Sequence, residues 1–240
     1  MSILSKLQAL LTAANTKTGE SDTTLTDAMQ TLVDGYGQGG DVQLPSGYTR
    51  LLYLESSGTQ YIDTGLYTKA TQKYYVKCRS STGSINILGN NLTTGCGMFL
   101  QTTLPTGYFR FGTANYIQRG LVPSNNANDM LMSAKIDING FYLQDYLPDS
   151  YLPIGTFDDN SVVEDSSIHN ILFGRTTGEN ARQLSASKIY FFACDEGDTR
   201  IREMYPAMRN SDSELGMYDV INNEFYTNSG TGTFTAGTME

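Results

Sequence analysis

The chain has no tryptophan, a single histidine and only three cysteines. Each shortage removes a class of chemistry. His169 is a lone imidazole between Ile168 and Asn170, ahead of the apolar Ile171-Leu172-Phe173. A triad or a histidine-rich metal centre asks for more partners than that, so it reads as a structural or exposed side chain. Cys78, Cys96 and Cys194 are odd in number, far apart and without CxxC spacing. They form neither a disulfide framework nor a zinc site and read as reduced core thiols.

Charge is sparse, at 17% of residues, and lopsided, with 25 acidic side chains against 16 basic ones and a net charge of -9. Such a surface repels a phosphate backbone, which argues against nucleic acid as a partner. No apolar run is long enough to insert in a membrane. The N-terminal pattern is broken by Ser, Gln and Thr and is too amphipathic for a signal-peptide core, so the expectation is a protein made in the cytoplasm without secretion.

What the chain does have is glycine (24 residues), tyrosine (16) and many Thr, Ser and Asn, the composition of a turn-rich β protein. Only residues 1–37 follow a helical period. Ile3, Leu4, Leu7, Leu10, Leu11 and Ala14 recur at spacings of three and four, and Lys17-Thr18-Gly19 ends that run. Thr24 is an N-cap for a second run through Leu25, Ala28, Met29, Leu32 and Val33. Two short helices bury little by themselves, and Leu4, Leu7, Leu11 and Ala14 make a brief a/d-like seam suited to self-association. The expected role of 1–37 is therefore assembly or attachment, in preference to docking on the chain's own β domain. Residues 38–46, opened by Gln38-Gly39-Gly40, read as a glycine-rich linker.

From residue 47 to 240 the period is two. Tyr74, Val76 and Cys78 alternate with Tyr75, Lys77 and Arg79, and Phe109 and Phe111 oppose Tyr108 and Arg110. Met130 to Tyr146 reads as a hairpin with a type I′ turn at Asn139-Gly140. Lys188 to Cys194, apolar on both faces, reads as a central strand whose partner, Thr199 to Met208, returns after an acidic turn. Ten or more short strands of this kind fit a two-sheet sandwich, and 156–167 is expected to be a long loop.

Two blocks carry a family resemblance: Leu44-Pro45-Ser46-Gly47-Tyr48-Thr49-Arg50, continuing through Ser56-Ser57-Gly58-Thr59-Gln60-Tyr61-Ile62-Asp63-Thr64-Gly65, and the run Glu214 to Phe234 with Asn228-Ser229-Gly230-Thr231-Gly232. Together they resemble the concanavalin A-like (laminin G-like) jelly-roll domain of minor structural proteins in tailed phages and prophages. Ser187-Lys188-Ile189-Tyr190 and Thr199 to Ala207 resemble that family's late hairpin, from which Asp195–Asp198 and Met204-Tyr205 depart. Leu10 to Val33 is similar to a two-helix module of phage appendage proteins. The resemblance implies a virion protein on the phage surface, a homo-oligomer and most often a trimer. It would attach to other virion proteins through its N-terminus and recognise host cell-surface carbohydrate, as a tail- or head-fibre adhesin without enzymatic activity. A capsid decoration or head-fibre protein without a receptor is one alternative. A polysaccharide depolymerase is another, disfavoured because no Glu-x-Asp-x-x-Glu run occurs.

Sugar binding uses aromatic faces beside planar polar groups, which singles out Tyr108 and Arg110, Asn115 and Tyr116 in the following loop, and Tyr142 and Gln144 beyond the Asn-Gly turn. Assembly falls to Ile3, Leu4, Leu7, Leu10, Leu11, Leu25, Met29, Leu32 and Val33. Acidic clusters at Asp158, Asp159, Glu164 and Asp165 suit calcium in donor type, but match no EF-hand spacing. No metal is assigned. Gly95-Cys96-Gly97 and Gly230-Thr231-Gly232 do not lead a strand into a helix, so no nucleotide cofactor is expected.

Overall fold

A computed structural model of the chain describes residues 42–81, 84–90, 97–103, 106–112, 117–120, 129–144, 151–157, 165–176 and 182–238. The chain divides into two units, Met1–Val42 and Gln43–Glu240. The helices expected over 1–37, with their assembly residues, lie outside the described residues.

The second unit is a β sandwich. A ten-stranded sheet contains β1 (Tyr48–Ser57), β3 (Gln72–Ser81), β8 (Asp129–Asp137), β9 (Gly140–Gln144), β10 (Tyr151–Thr156), β14 (Ala186–Glu196), β15 (Thr199–Arg209), β16 (Glu214–Asp219), β17 (Glu224–Thr227) and β18 (Thr235–Thr238). An eight-stranded sheet contains β2 (Ile62–Tyr67), β4 (Ser84–Asn90), β5 (Gly97–Thr103), β6 (Thr106–Gly112), β7 (Ile117–Gly120), β11 (His169–Leu172), β12 (Gly174–Thr176) and β13 (Arg182–Leu184). The inward residues of both are the alternating apolar sets of the sequence. Phe109 of β6 stacks on Phe141 of β9 at 3.6 Å, and Tyr74 of β3 meets Phe111 of β6 at 6.4 Å between ring centres. These four rings bridge the sheets.

The centre of the large sheet is a fork. β14 and β15 pair as a hairpin only as far as Phe192 and Met204. β1 is antiparallel to both, at Tyr48–Arg50 against β15 and at Leu54–Ser57 against β14. Two antiparallel strands cannot both be antiparallel to one straight neighbour, so they splay apart and β1 lies across the opening. Pro206, which has no N–H to give, falls between Met204, the last partner of β14, and Ala207, the first partner of β1. A proline is tolerated in this central strand because the ladder changes hands there.

Two departures from the sequence expectation have physical causes. The β8–β9 hairpin is present, but its turn is centred on Ile138-Asn139, and neither Asn139 nor Gly140 has a positive φ. The Asp137 carboxylate accepts the N–H groups of Asn139 (2.9 Å) and Gly140 (3.2 Å), which selects the Asp-first, Gly-last signature of a type I turn over type I′. Lys77, on the face of β3 opposite to Tyr74, Val76 and Cys78, is buried rather than exposed, with its ammonium 5.8 Å from the Tyr190 ring centre.

The two blocks that carry the family resemblance meet in a polar clasp. Gln60, buried, accepts from the Ser57 N–H (2.9 Å) and the Ser56 hydroxyl (3.0 Å), while its amide donates to the Thr233 carbonyl (2.9 Å). The Thr231 N–H donates to Thr59 O (3.1 Å) and the Ser229 N–H to Tyr61 O (2.9 Å). The backbones touch here: a Cβ at Gly230 would lie 2.2 Å from Thr59 O. Phe234 then enters the core against Phe173, 5.0 Å between ring centres, and β18 closes the free side of β1.

Cys78 and Cys194 are buried free thiols, and burial raises both above the ordinary thiol range. Neither should react with Ellman's reagent in the native protein, and both should react in 6 M guanidinium. Gln60→Ala leaves the Ser57 donor and the Thr233 acceptor unsatisfied. It should cost about 2 kcal/mol, read as a lower urea midpoint at unchanged slope.

Candidate functional site

The residues singled out for sugar binding do not converge. Phe141 points inward onto Phe109, so Tyr142 and Gln144 face outward from the large sheet. Tyr142 lies under Lys135, 3.9 Å from nitrogen to ring centre, and Gln144 stands opposite Tyr151, whose ring meets Tyr75 at 5.8 Å. Tyr108 and Arg110 lie on the outer face of the other sheet, since Phe109 and Phe111 point inward. Arg110 is buried and sits opposite Phe99, so the expected wet position is a correction: its outer face is covered. Asn115 and Tyr116 lie outside the described residues, as do Asp158, Asp159 and Glu164. Asp165 is exposed, and no group of acids, histidines or cysteines among the described residues makes a metal cluster.

The outer face of the large sheet neutralises itself. Lys135 pairs with Asp137 at 3.1 Å, Lys188 reaches Glu55 at 3.8 Å while covering Tyr53, and Arg200 bridges Asp195 and Glu203. Tyr75 and Tyr205 are pushed up by burial first, then by the neighbouring carboxylates Asp195 and Glu203. These phenols stay protonated and act as walls.

The other sheet carries a cleft on its outer face, about 210 Å³ in volume, lined by Asp63 and Tyr67 of β2, His169 and Ile171 of β11, Thr176 of β12 and Arg182 of β13, with Ser167 and Ile168 at its edge. Its local origin is plain. On β2 the residues Ile62, Thr64 and Leu66 are buried, which turns Asp63, Gly65 and Tyr67 outward. Register then sets His169 opposite Tyr67 and Ile171 opposite Asp63. His169 Nδ1 lies 2.9 Å from the Asp63 carboxylate, and its ring meets the edge of Tyr67 at 4.3 Å. Among the described residues nothing engages Nε2.

A buried polar network holds this strand in place. Asn170, inward where His169 is outward, donates to the Tyr74 hydroxyl (3.1 Å) and accepts from Asn90 (2.7 Å) and Thr68 (3.1 Å). Tyr74 donates in turn to Gln72. The network ties β4 and β11 of one sheet to β3 of the other, so the imidazole is presented from a fixed backbone. At the far end of β11, Phe173 takes a positive φ of 66° and reverses the chain into β12, held by hydrogen bonds to Ile87 and Ser185 at 2.9 Å. That reversal brings Thr176 and Arg182 to the cleft.

Chemically the cleft offers a carboxylate, an imidazole, an exposed phenol face and a guanidinium. The Thr176 hydroxyl is buried and without a partner among the described residues. A cleft this size is below the roughly 300–1,000 Å³ of drug-sized pockets and suits one small polar unit. Asp63 is the single carboxylate among the lining residues. Sequence reading missed Asp63, Tyr67, Thr176 and Arg182. The alternation of β2 marked the first two as outward, but the approach of His169, 106 residues away, has no local signal.

No family model matches the chain, and no curated protein matches it in sequence.

An orphaned buried hydroxyl costs stability, whereas one that meets a ligand contributes affinity. Thr176→Val should therefore leave the unfolding midpoint unchanged or raise stability by about 1 kcal/mol, as read by thermal denaturation, while weakening any saccharide bound in the cleft.

Proposed function

We propose that the chain is a phage virion appendage with a concanavalin A-like jelly-roll domain, a non-enzymatic adhesin that recognises host cell-surface carbohydrate and assembles through its N-terminal helices. The observation that carries this reading is the clasp. The two blocks of sequence that resemble the phage family, far apart in the chain, converge on one structural device, as expected if that likeness is one of fold. The cleft of β2, β11, β12 and β13 supplies what an adhesin needs, an aromatic edge beside planar and hydroxyl hydrogen-bonding groups. Adhesion is favoured over hydrolysis because a glycosidase places two carboxylates across the sugar, about 5 to 9.5 Å apart, and Asp63 is alone among the described lining residues. A capsid decoration protein without a receptor is the second reading, favoured by the self-neutralised face of the large sheet.

A glycan array probed with the full-length protein separates these readings: retention of a defined glycan class is expected, and uniform silence selects decoration. Release of reducing ends from purified host polysaccharide selects a depolymerase. For assembly, the full chain should run as an oligomer, most often a trimer, in light scattering. The double substitution Leu7→Asp with Leu11→Asp should yield monomer with an unchanged β circular dichroism signal; an unchanged oligomer would remove the helices from assembly.

A further inference from the structure

The cleft of the eight-stranded sheet brings together three polar atoms that have no partner among the described residues. Asp63 is held by one oxygen only: Oδ1 accepts the Gly65 N–H at 2.9 Å and meets His169 Nδ1 at 2.9 Å, which leaves Oδ2 open. Gly65, at a positive φ of 67°, closes that short turn. A carboxylate only accepts, so Nδ1 carries the ring proton, and Nε2 of the neutral imidazole is a second open acceptor. The third atom is the Thr176 hydroxyl, on a residue only 5% exposed. An exposed acceptor is served by solvent, whereas a buried hydroxyl without a partner is costly to the fold and favourable to a ligand that reaches it.

These groups are held in place before any ligand arrives. Thr64, next to Asp63, donates its hydroxyl to Asn170 O at 2.7 Å, which fastens β2 to β11 beside the Asp63–His169 pair. The Ser166 hydroxyl donates to Ile168 O at 2.7 Å and accepts the Ile168 N–H at 3.2 Å, which fixes the rim. Tyr67 is 45% exposed, and its ring is the aromatic wall of the cleft. The pattern of open atoms selects a ligand. Two neighbouring acceptors require two donors from one molecule, and the Thr176 hydroxyl gives or takes a further hydrogen bond. Adjacent hydroxyls on a sugar ring meet that requirement while the C–H face of the ring packs on Tyr67. An oxyanion brings no donor to Asp63 and is repelled by it.

We propose that the cleft binds one uncharged pyranose ring, whose adjacent hydroxyls donate to Asp63 Oδ2 and His169 Nε2 and whose third hydroxyl meets Thr176. This rests on the adhesin reading and names the ligand class for its site. The cleft volume of about 210 Å³ takes a single ring, with the rest of a glycan chain running out over the sheet. The hydrogen bond to Asp63 is charge-assisted and therefore the strongest of the three. Thr176 contributes affinity at no expense in stability, because its hydroxyl has no partner to lose.

The test is titration calorimetry on the full-length protein with methyl α-D-glucopyranoside, methyl α-D-mannopyranoside, methyl β-D-galactopyranoside and D-glucuronate. At least one methyl glycoside should bind, and more tightly than D-glucuronate; which one wins identifies the arrangement of hydroxyls. Asp63→Asn should weaken that glycoside about tenfold through loss of the charge-assisted bond, with the β circular dichroism spectrum intact. Thr176→Val should weaken it several-fold while thermal stability stays the same or rises, a combination that a structural role does not produce. Undiminished binding in either variant would overturn the assignment of these atoms and leave the adhesin reading standing. D-Glucuronate binding as tightly as the best glycoside would overturn the uncharged class. If no probe binds, the inference falls, and the adhesin reading falls with it only if the glycan array is silent as well.

Discussion

The sandwich depends on one closure, the packing of the Ser56–Tyr61 loop against Asn228–Phe234. A fork between β14 and β15 is unstable alone, because each diverging strand exposes a row of unpaired amides and carbonyls along its inner edge. β1 fills that opening, and its own free side is filled by β18 from the C-terminus. The turn into β18 is fixed by Gln60, Thr59 and Tyr61, which convert a length of irregular backbone into a third partner for β1. Without that turn Phe234 has no reason to enter the core, and Phe173, held in a left-handed conformation, loses its cover. Strain at Phe173 is thus tolerated because the chain end is packed over it.

That closure decides where binding chemistry can sit. The ends of the domain belong to the clasp and to the β16–β17 turn, in which buried Asp219 accepts from Arg202, Glu203, Ile221 and Asn222. The Asp219 carboxylate is thereby saturated by the protein and has no capacity left for a ligand. The outer face of the large sheet is saturated as well, by lysine–carboxylate and lysine–tyrosine pairs. On the eight-stranded sheet, guanidiniums are stacked on Phe99 and Tyr61, and the Thr176 hydroxyl is buried with no partner among the described residues. The Thr176 hydroxyl lies at the cleft of this face, and recognition requires hydrogen-bonding capacity of that kind.

Much of the fold was legible because two-residue periodicity is a direct image of a half-buried strand. Tyr74, Val76 and Cys78, or Phe109 and Phe111, announced their inward side, and β14 announced its central place by being apolar on both faces. The type I′ turn failed because Asn-Gly was read without Asp137, whose carboxylate captures the turn amides first. The site was less legible. Tyr108 and Tyr142 both alternate as outward residues, yet they belong to different sheets, and alternation along one strand says nothing about which sheet that strand joins. Likewise Arg110 alternates as a solvent-facing residue but is covered, since burial of an outer face is decided by other parts of the chain. His169 seemed isolated because its partner, Asp63, reaches it only through the β2–β11 register.

Native-state amide hydrogen exchange tests the dependence on this closure most directly, by comparing the Ser229 and Thr231 amides with those of β14 at the centre of the large sheet. If the closure underlies the sandwich, the two groups exchange with the same free energy, that of global unfolding, although Ser229 and Thr231 lie in an irregular segment near the chain end. Exchange of Ser229 and Thr231 orders of magnitude faster than β14 would show that the C-terminal segment frays independently and would contradict the account.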